Sequence, residues 1–196
     1  FDPSVNLTLS QLQRAQNLDV LDAQGHKVRF GSLWQAQPTC VIFIRHFWCP
    51  SCTDYVRSIT EEVDLEILDE AGVKFVIISN GAPAMIKSYS SIFNLPFPLY
   101  TDPSRALYRT LGMTLCTTDG GPDSQRGDYI RHGVASGIGM IMKNALKVRM
   151  PLHKNGGDSK QLGGEFVLGP GLRCSYVSRM HNTRSHKPVR DVLLAA

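Results

Sequence analysis

The sequence predicts an α/β fold: a central mixed sheet flanked by helices, with a helical insertion before the last hairpin. Three observations carry this. The apolar, β-branched and aromatic runs at residues 40–44 (CVIFI) and 74–79 (KFVIIS) read as buried strands. Each is followed by apolar residues at helical steps, and such alternation builds a sheet with parallel neighbours. Gly164 to Leu168 and Arg173 to Arg179, joined by Gly169-Pro170-Gly171, read as a closing hairpin.

Taken in order, residues 1–17 are a polar lead-in with a short helix from Thr8. Residues 18–196 read as one domain with an insertion at 113–160. Val20 to Ala23 and Lys27 to Phe30 flank Gln24-Gly25, two short strands around a turn that glycine favours. Ser32 caps a brief helix through Trp34. The strand at 40–44 leads into a helix marked by Val56, Ile59, Val63 and Ile67, predicted to run to Gly72. After Lys74 to Ser79, Asn80-Gly81 breaks the strand and Pro83 opens a helix to Phe93. Leu99 to Thr101 is a short strand, and Asp102-Pro103-Ser104 starts a helix that ends at Gly112.

Thr117 to Gly127 is a loop by composition. Tyr129 to Val148 reads as a helix, although Gly133, Gly137 and Gly139 each cost it about 1 kcal/mol. Arg126, Arg131, Lys143, Lys147, Arg149 and Lys154 surround it. Three readings stay open for this helix: a mobile cover over the active site, a membrane-surface helix, or a solvated helix packed on the sheet. Pro188 begins a closing helix through Ala195.

With 196 residues and 42% hydrophobic content, the chain can bury a sizeable core and is no disordered tail. Its five cysteines are odd in number and scattered, unlike a secreted disulfide framework, which favours a reducing, cytoplasmic compartment. Residues 1–98 carry 7 basic and 10 acidic residues, residues 99–196 carry 14 and 7, so the second half attracts anions. Aromatic–basic interleaving is missing, which argues against nucleic acid. No apolar stretch reaches a membrane span and no signal peptide is visible; the chain begins at Phe1, so a removed leader stays open.

The chemistry concentrates at Cys49-Pro50-Ser51-Cys52, where the central strand hands over to a helix. Pro50 suits a first helical position. Unpaired N–H groups and the dipole at a helix N-terminus stabilise an anion, and thiolate is the reactive form of cysteine. Cys49 is thus the candidate nucleophile and Cys52, one turn on, the resolving thiol. Arg45 and His46 can add positive charge, and His46 can move a proton or simply close the strand. Being consecutive, only one of them points at the site. Trp48 shields the thiol and, with Pro50 and Ser51, can contact substrate. A zinc half-site is the competing reading, but no second pair of ligands completes it. Cys40 reads as a core thiol, Cys174 as an inert one, and Cys116, in the loop before the insertion, as inert or a second resolving thiol.

The stretches Phe43-Ile-Arg-His-Phe-Trp-Cys-Pro-Ser-Cys52, Tyr100-Thr-Asp-Pro-Ser-Arg-Ala-Leu-Tyr-Arg-Thr-Leu-Gly112, Gln161-Leu-Gly-Gly-Glu-Phe-Val-Leu168 and Ser178-Arg-Met-His-Asn-Thr-Arg-Ser-His186 resemble peroxiredoxin-like proteins. The group is that of alkyl hydroperoxide reductase and thiol-specific antioxidant, in the thioredoxin-like superfamily, and the resemblance spans about residues 18–194. It implies a thioredoxin-like sheet flanked by helices, with Cys49 opening the first long helix. It also implies thiol-dependent reduction of a peroxide or disulfide, lipid endoperoxides included. The usual Pro-x-x-x-Thr-x-x-Cys appears with Ile42 and His46 at its Pro and Thr positions. The family's arginine falls at Gly163, carried here as a substrate-binding position, and residues 162–164 offer no cis-proline of thioredoxin type.

The leading expectation is a cofactor-free, metal-free thiol oxidoreductase acting on a hydroperoxide, endoperoxide or disulfide and restored by thioredoxin or glutathione. The alternatives are a redox-responsive binding protein, a thioredoxin-type disulfide reductase and a metal-bridged dimer. A plain homodimer is the other assembly considered.

Overall fold

The computed structural model describes residues 2–196. Thr8 and Gln11 cap each other across the start of α1 (Leu9–Gln16), each side chain accepting the other's backbone N–H. β1 (Asp19–Leu21) and β2 (Lys27–Arg29) form an antiparallel hairpin in which Gly25 takes φ +85°. A 3-10 turn follows over Phe30–Leu33. Its cap is Arg29 rather than Ser32, whose hydroxyl turns back to donate to the Arg29 carbonyl at 2.7 Å.

β3 (Thr39–Phe43) leads to α2 (Pro50–Glu62). The helix expected to reach Gly72 is broken: Val63 is extended, and the Asp64 carboxylate accepts the Glu66 N–H to start α3 (Leu65–Glu70). Next come β4 (Lys74–Ser79), a 3-10 turn at Pro83–Met85, α4 (Ile86–Phe93), β5 (Leu99–Thr101) and α5 (Ala106–Thr110). α6 (Val134–Lys147) begins five residues later than the periodicity suggested, because Tyr129 and Ile130 are drawn into the core instead. Its seat is α2 and α4 rather than the sheet, and a Cβ on Gly137 would come within 2.8 Å of Pro50 Cβ. β6 (Gly164–Leu168), β7 (Cys174–Arg179) and α7 (Val189–Leu193) complete the chain.

Among the described residues the strands form one seven-stranded mixed sheet, in the order β2-β1-β5-β4-β3-β6-β7. β3, β4 and β5 are parallel, and β6 returns antiparallel to β3. Alternation along β3 sorts two cores. Cys40 and Ile42 face the core shared with α2, α4 and α7, and Val41 and Phe43 face the one shared with α1 and α5. Both edges are interrupted. β2 is three residues long with exposed Lys27 and Arg29, while β7 shifts register opposite Val167 and Leu168. At the end of β7, the Arg179 N–H donates to the Pro3 carbonyl at 2.9 Å. No helix among the described residues is long and apolar enough to cross a membrane.

Candidate active site

The end of β3 sets the position of the thiols. Beyond Phe43 the chain stays tied to β4 by Ile44 N–H to Ile78 carbonyl at 2.9 Å, then turns so that the Cys49 N–H reaches the His46 carbonyl at 3.2 Å. Cys49 is the N-cap of α2, with Pro50 at the first helical position. Its sulfur accepts the Cys52 N–H at 3.2 Å and a hydrogen bond from Arg45 Nη1 at 3.3 Å. Arg45 also donates to the Ser159 carbonyl, so it is held between the thiol and the 155–159 segment. That segment lies over the strand end through Phe47 N–H to Gly156 carbonyl at 2.9 Å and Asp158 N–H to Asn80 Oδ1 at 2.7 Å.

The two thiols divide their charge unequally. Burial opposes ionisation of Cys49, but the Cys52 thiol, the Arg45 guanidinium and the Cys52 N–H outweigh it, bringing Cys49 down from 9.0 to about 6. Burial, together with the Cys49 sulfur beside it, holds the Cys52 thiol well above its ordinary value. Both sulfurs are buried, and all five cysteines are free thiols.

Of the two consecutive cations, Arg45 is the one that meets the sulfur. His46 is buried, and no hydrogen bond joins its ring to either thiol among the described residues. Burial and then the Arg45 charge push it down to about 3, so it is neutral at physiological pH and adds no positive charge. Pro50 and Ser51 line a cleft of about 500 Å³ with Arg45, Arg126, His132 and Arg184. Trp48 lies beneath the 155–159 segment, where a Cβ on Gly156 would be 2.0 Å from its Cδ1. Gly163 is buried: its N–H points at Met180 Sδ (3.2 Å), and a Cβ would sit 1.8 Å from the Phe43 carbonyl oxygen. The position aligned with the family's arginine therefore has no room for a side chain, and the cation at the sulfur comes from Arg45 instead.

Periodicity missed the groups around Cys52. His186 Nε2 lies 3.7 Å from the Cys52 sulfur, and its Nδ1 lies 2.5 Å from Glu165 Oε1. Glu165 did leave a signal, as a lone acid in the otherwise apolar strand Gly-Glu-Phe-Val-Leu. Asp54 was also missed. Its buried carboxylate accepts the Arg131 N–H at 2.9 Å and the His132 N–H at 3.0 Å, and meets His132 Nδ1 at 2.7 Å. This fastens the segment before α6 to the cysteine helix. Asp54→Ala is expected to cost about 3 kcal/mol, lowering the thermal midpoint by roughly 6–12 °C; calorimetry checks it. Among the described residues no three His, Cys, Asp or Glu side chains converge as a metal-binding group.

A thiol pair at the junction of a parallel central strand and a helix, beside an antiparallel return strand, defines a thioredoxin-like fold. Solved structures agree on that fold. Peroxidoxin BcpB of Mycobacterium tuberculosis superposes with TM-score 0.60 at 12% identity, covering 100% of this chain and 96% of its own. The bacterioferritin comigratory protein of Xanthomonas campestris, described for its alkyl peroxide reduction activity, gives 0.58 at 14%, with 98% and 94% covered. The chain belongs to the AhpC/TSA antioxidant enzyme family, whose model matches residues 62–182. It is similar to peroxiredoxin-like 2C of Mus musculus, 33% identical over 176 residues, covering 90% of this chain and 76% of the relative. The Homo sapiens counterpart is 32% identical over the same length. The family match begins after Cys52, so the thiol pair lies outside the matched residues.

Proposed function

We propose that the protein reduces the O–O bond of a hydroperoxide or endoperoxide, or an S–S bond, through a Cys49–Cys52 thiol/disulfide cycle. The observation that carries the reading is the Arg45 guanidinium on the sulfur of an N-cap cysteine, an anion trap at the start of α2. With a hydroperoxide, the Cys49 thiolate attacks the terminal oxygen, an S–O bond forms and the O–O bond breaks. The released alkoxide takes a proton to become an alcohol. Cys52 then displaces the oxygen from Cys49 as water, leaving a disulfide. A dithiol or thiol reductant of the thioredoxin or glutathione class returns the two electrons. The chemistry draws on Cys49, Cys52 and Arg45; Pro50 and Ser51 border the approach, Trp48 packs beside it, and His46 supports the turn as a neutral group. The odd, scattered set of five cysteines is the argument for a reducing, cytoplasmic setting. One observation favours a redox-responsive binding protein as the second reading: the Cys49 sulfur is fully covered in this conformation.

The experiment titrates reduced protein with hydrogen peroxide, an organic hydroperoxide and a small disulfide, following mass and stopped-flow signals. A rapid loss of two hydrogens, mapped to Cys49 and Cys52, is the expected result with at least one peroxide. Reaction with the disulfide alone moves the assignment to disulfide exchange. Slow stoichiometric oxidation without turnover selects the binding protein.

A further inference from the structure

Cys52 has to lose a proton before it can attack, and its surroundings oppose that loss. Burial and the neighbouring Cys49 sulfur both keep it a thiol. The structure supplies an acceptor. His186 Nε2 faces the Cys52 sulfur at 3.7 Å, while Glu165 holds the opposite ring nitrogen. Both side chains are 0% exposed. A carboxylate at Nδ1 keeps the imidazole hydrogen there and turns the Nε2 lone pair toward the sulfur.

The ring is also locked in place. Tyr55 stacks on it with centroids 4.2 Å apart and planes 9° from parallel, and the backbone N–H of His186 donates to the Tyr129 hydroxyl at 3.2 Å, fixing the chain that carries the ring. Among the described residues the Glu165 side chain has no second polar partner, its Oε2 being unpaired. A buried carboxylate in an interior strand costs stability compared with an apolar residue, and here the imidazole is its sole side-chain partner among the described residues.

We propose that His186, oriented by Glu165, is the general base and then the general acid for Cys52. This rests on the Cys49–Cys52 cycle proposed above. Nε2 takes the Cys52 proton as the Cys52 sulfur attacks Cys49 in its sulfenic acid form. The S–S bond forms, the S–O bond breaks, and the leaving hydroxide takes the proton back from Nε2 as water. Cys52 is oxidised with Cys49 by two electrons in all, and His186 ends the step as it began. The titratable groups facing this step among the described residues are Cys49 and Arg45 from the β3–α2 turn, Tyr55 on α2, Tyr89 on α4, Tyr108 on α5, Glu165 on β6 and Tyr129 before α6.

The test mixes reduced wild type and His186→Gln with hydrogen peroxide and measures two rates by acid-quenched mass spectrometry: oxygen gain at Cys49, then loss of water on disulfide closure. In His186→Gln the first rate falls by much less than closure, since His186 is the smallest of the groups that stabilise the Cys49 thiolate, and closure falls about 100-fold at pH 7. Closure then rises about tenfold per pH unit toward alkaline pH, as Cys52 ionises unaided. Glu165→Gln slows closure by about tenfold. Closure at the wild-type rate, or a loss of both rates without alkaline recovery, overturns the assignment. A second measurement needs no peroxide. In Cys49→Ser protein, the pH midpoint for Cys52 modification by methyl methanethiosulfonate shifts upward when His186→Gln is added. An unmoved midpoint overturns the role of His186. Absence of any sulfenic acid in wild type, with the midpoint still moved, removes only the peroxide cycle.

Discussion

Cys49→Ser abolishes turnover of peroxide and disulfide alike, and Cys52→Ser stops the cycle one step later. In the second variant Cys49 keeps its anion trap: the Arg45 hydrogen bond and the backbone N–H of residue 52 both survive the change of side chain. The first oxidation therefore proceeds, and the product accumulates as a mass increase of one oxygen with peroxide, or as a mixed disulfide with a small disulfide. Intact-protein mass spectrometry reads both. Full multiple turnover by Cys52→Ser would sink its resolving role, and residual turnover by Cys49→Ser would move the nucleophile elsewhere. Serine is close in size to cysteine, so neither change opens a large cavity in a core where both positions are fully buried.

Arg45→Met raises the pH at which Cys49 ionises above its wild-type value of about 6, because burial then acts with less opposition. The sign is fixed by the charge form. Thiolate exists above the pKa and is lost as pH falls through it, so wild type stays ionised down to about pH 6. At pH 7 the thiolate fraction of the variant falls by about tenfold for each pH unit by which its midpoint rises above 7. Greater nucleophilicity of the more basic thiolate returns part of this, and the remaining rate deficit closes toward alkaline pH. Ultraviolet absorbance of the thiolate during a pH titration gives the midpoint directly. An unchanged midpoint would mean that the α2 terminus stabilises the anion without Arg45.

Much of the frame could be read locally. Lys74–Ser79 and Leu99–Thr101 appear with the expected bounds, since a short apolar run between turn residues has few other uses. The cysteine turn was legible for the same reason: strand, Cys-Pro, helix is a local grammar. Two helices were misjudged where a specific contact overrode periodicity. Asp64 capped a new helix after Val63, and the core claimed Tyr129 and Ile130 before α6 could start. Alternation limited Arg45 and His46 to one useful partner but could not choose between them. The choice came from the bend after β3 and the Ser159 carbonyl that anchors the guanidinium. His186 was beyond reach, because it meets Cys52 across 134 positions and depends on β6 returning beside β3 and β7 beside β6.

The interrupted sheet edges bear on how this chain meets other copies of itself. A free, flat edge strand is a template for adding another strand, the route to open-ended aggregation. At β2 a newcomer would find only three residues, two of them Lys27 and Arg29, whose charges repel the same strand in a second copy. At β7 the irregular register breaks the ladder at one end, and the Pro3 carbonyl already occupies the Arg179 N–H at the other. Self-assembly by sheet extension is thereby disfavoured at both margins.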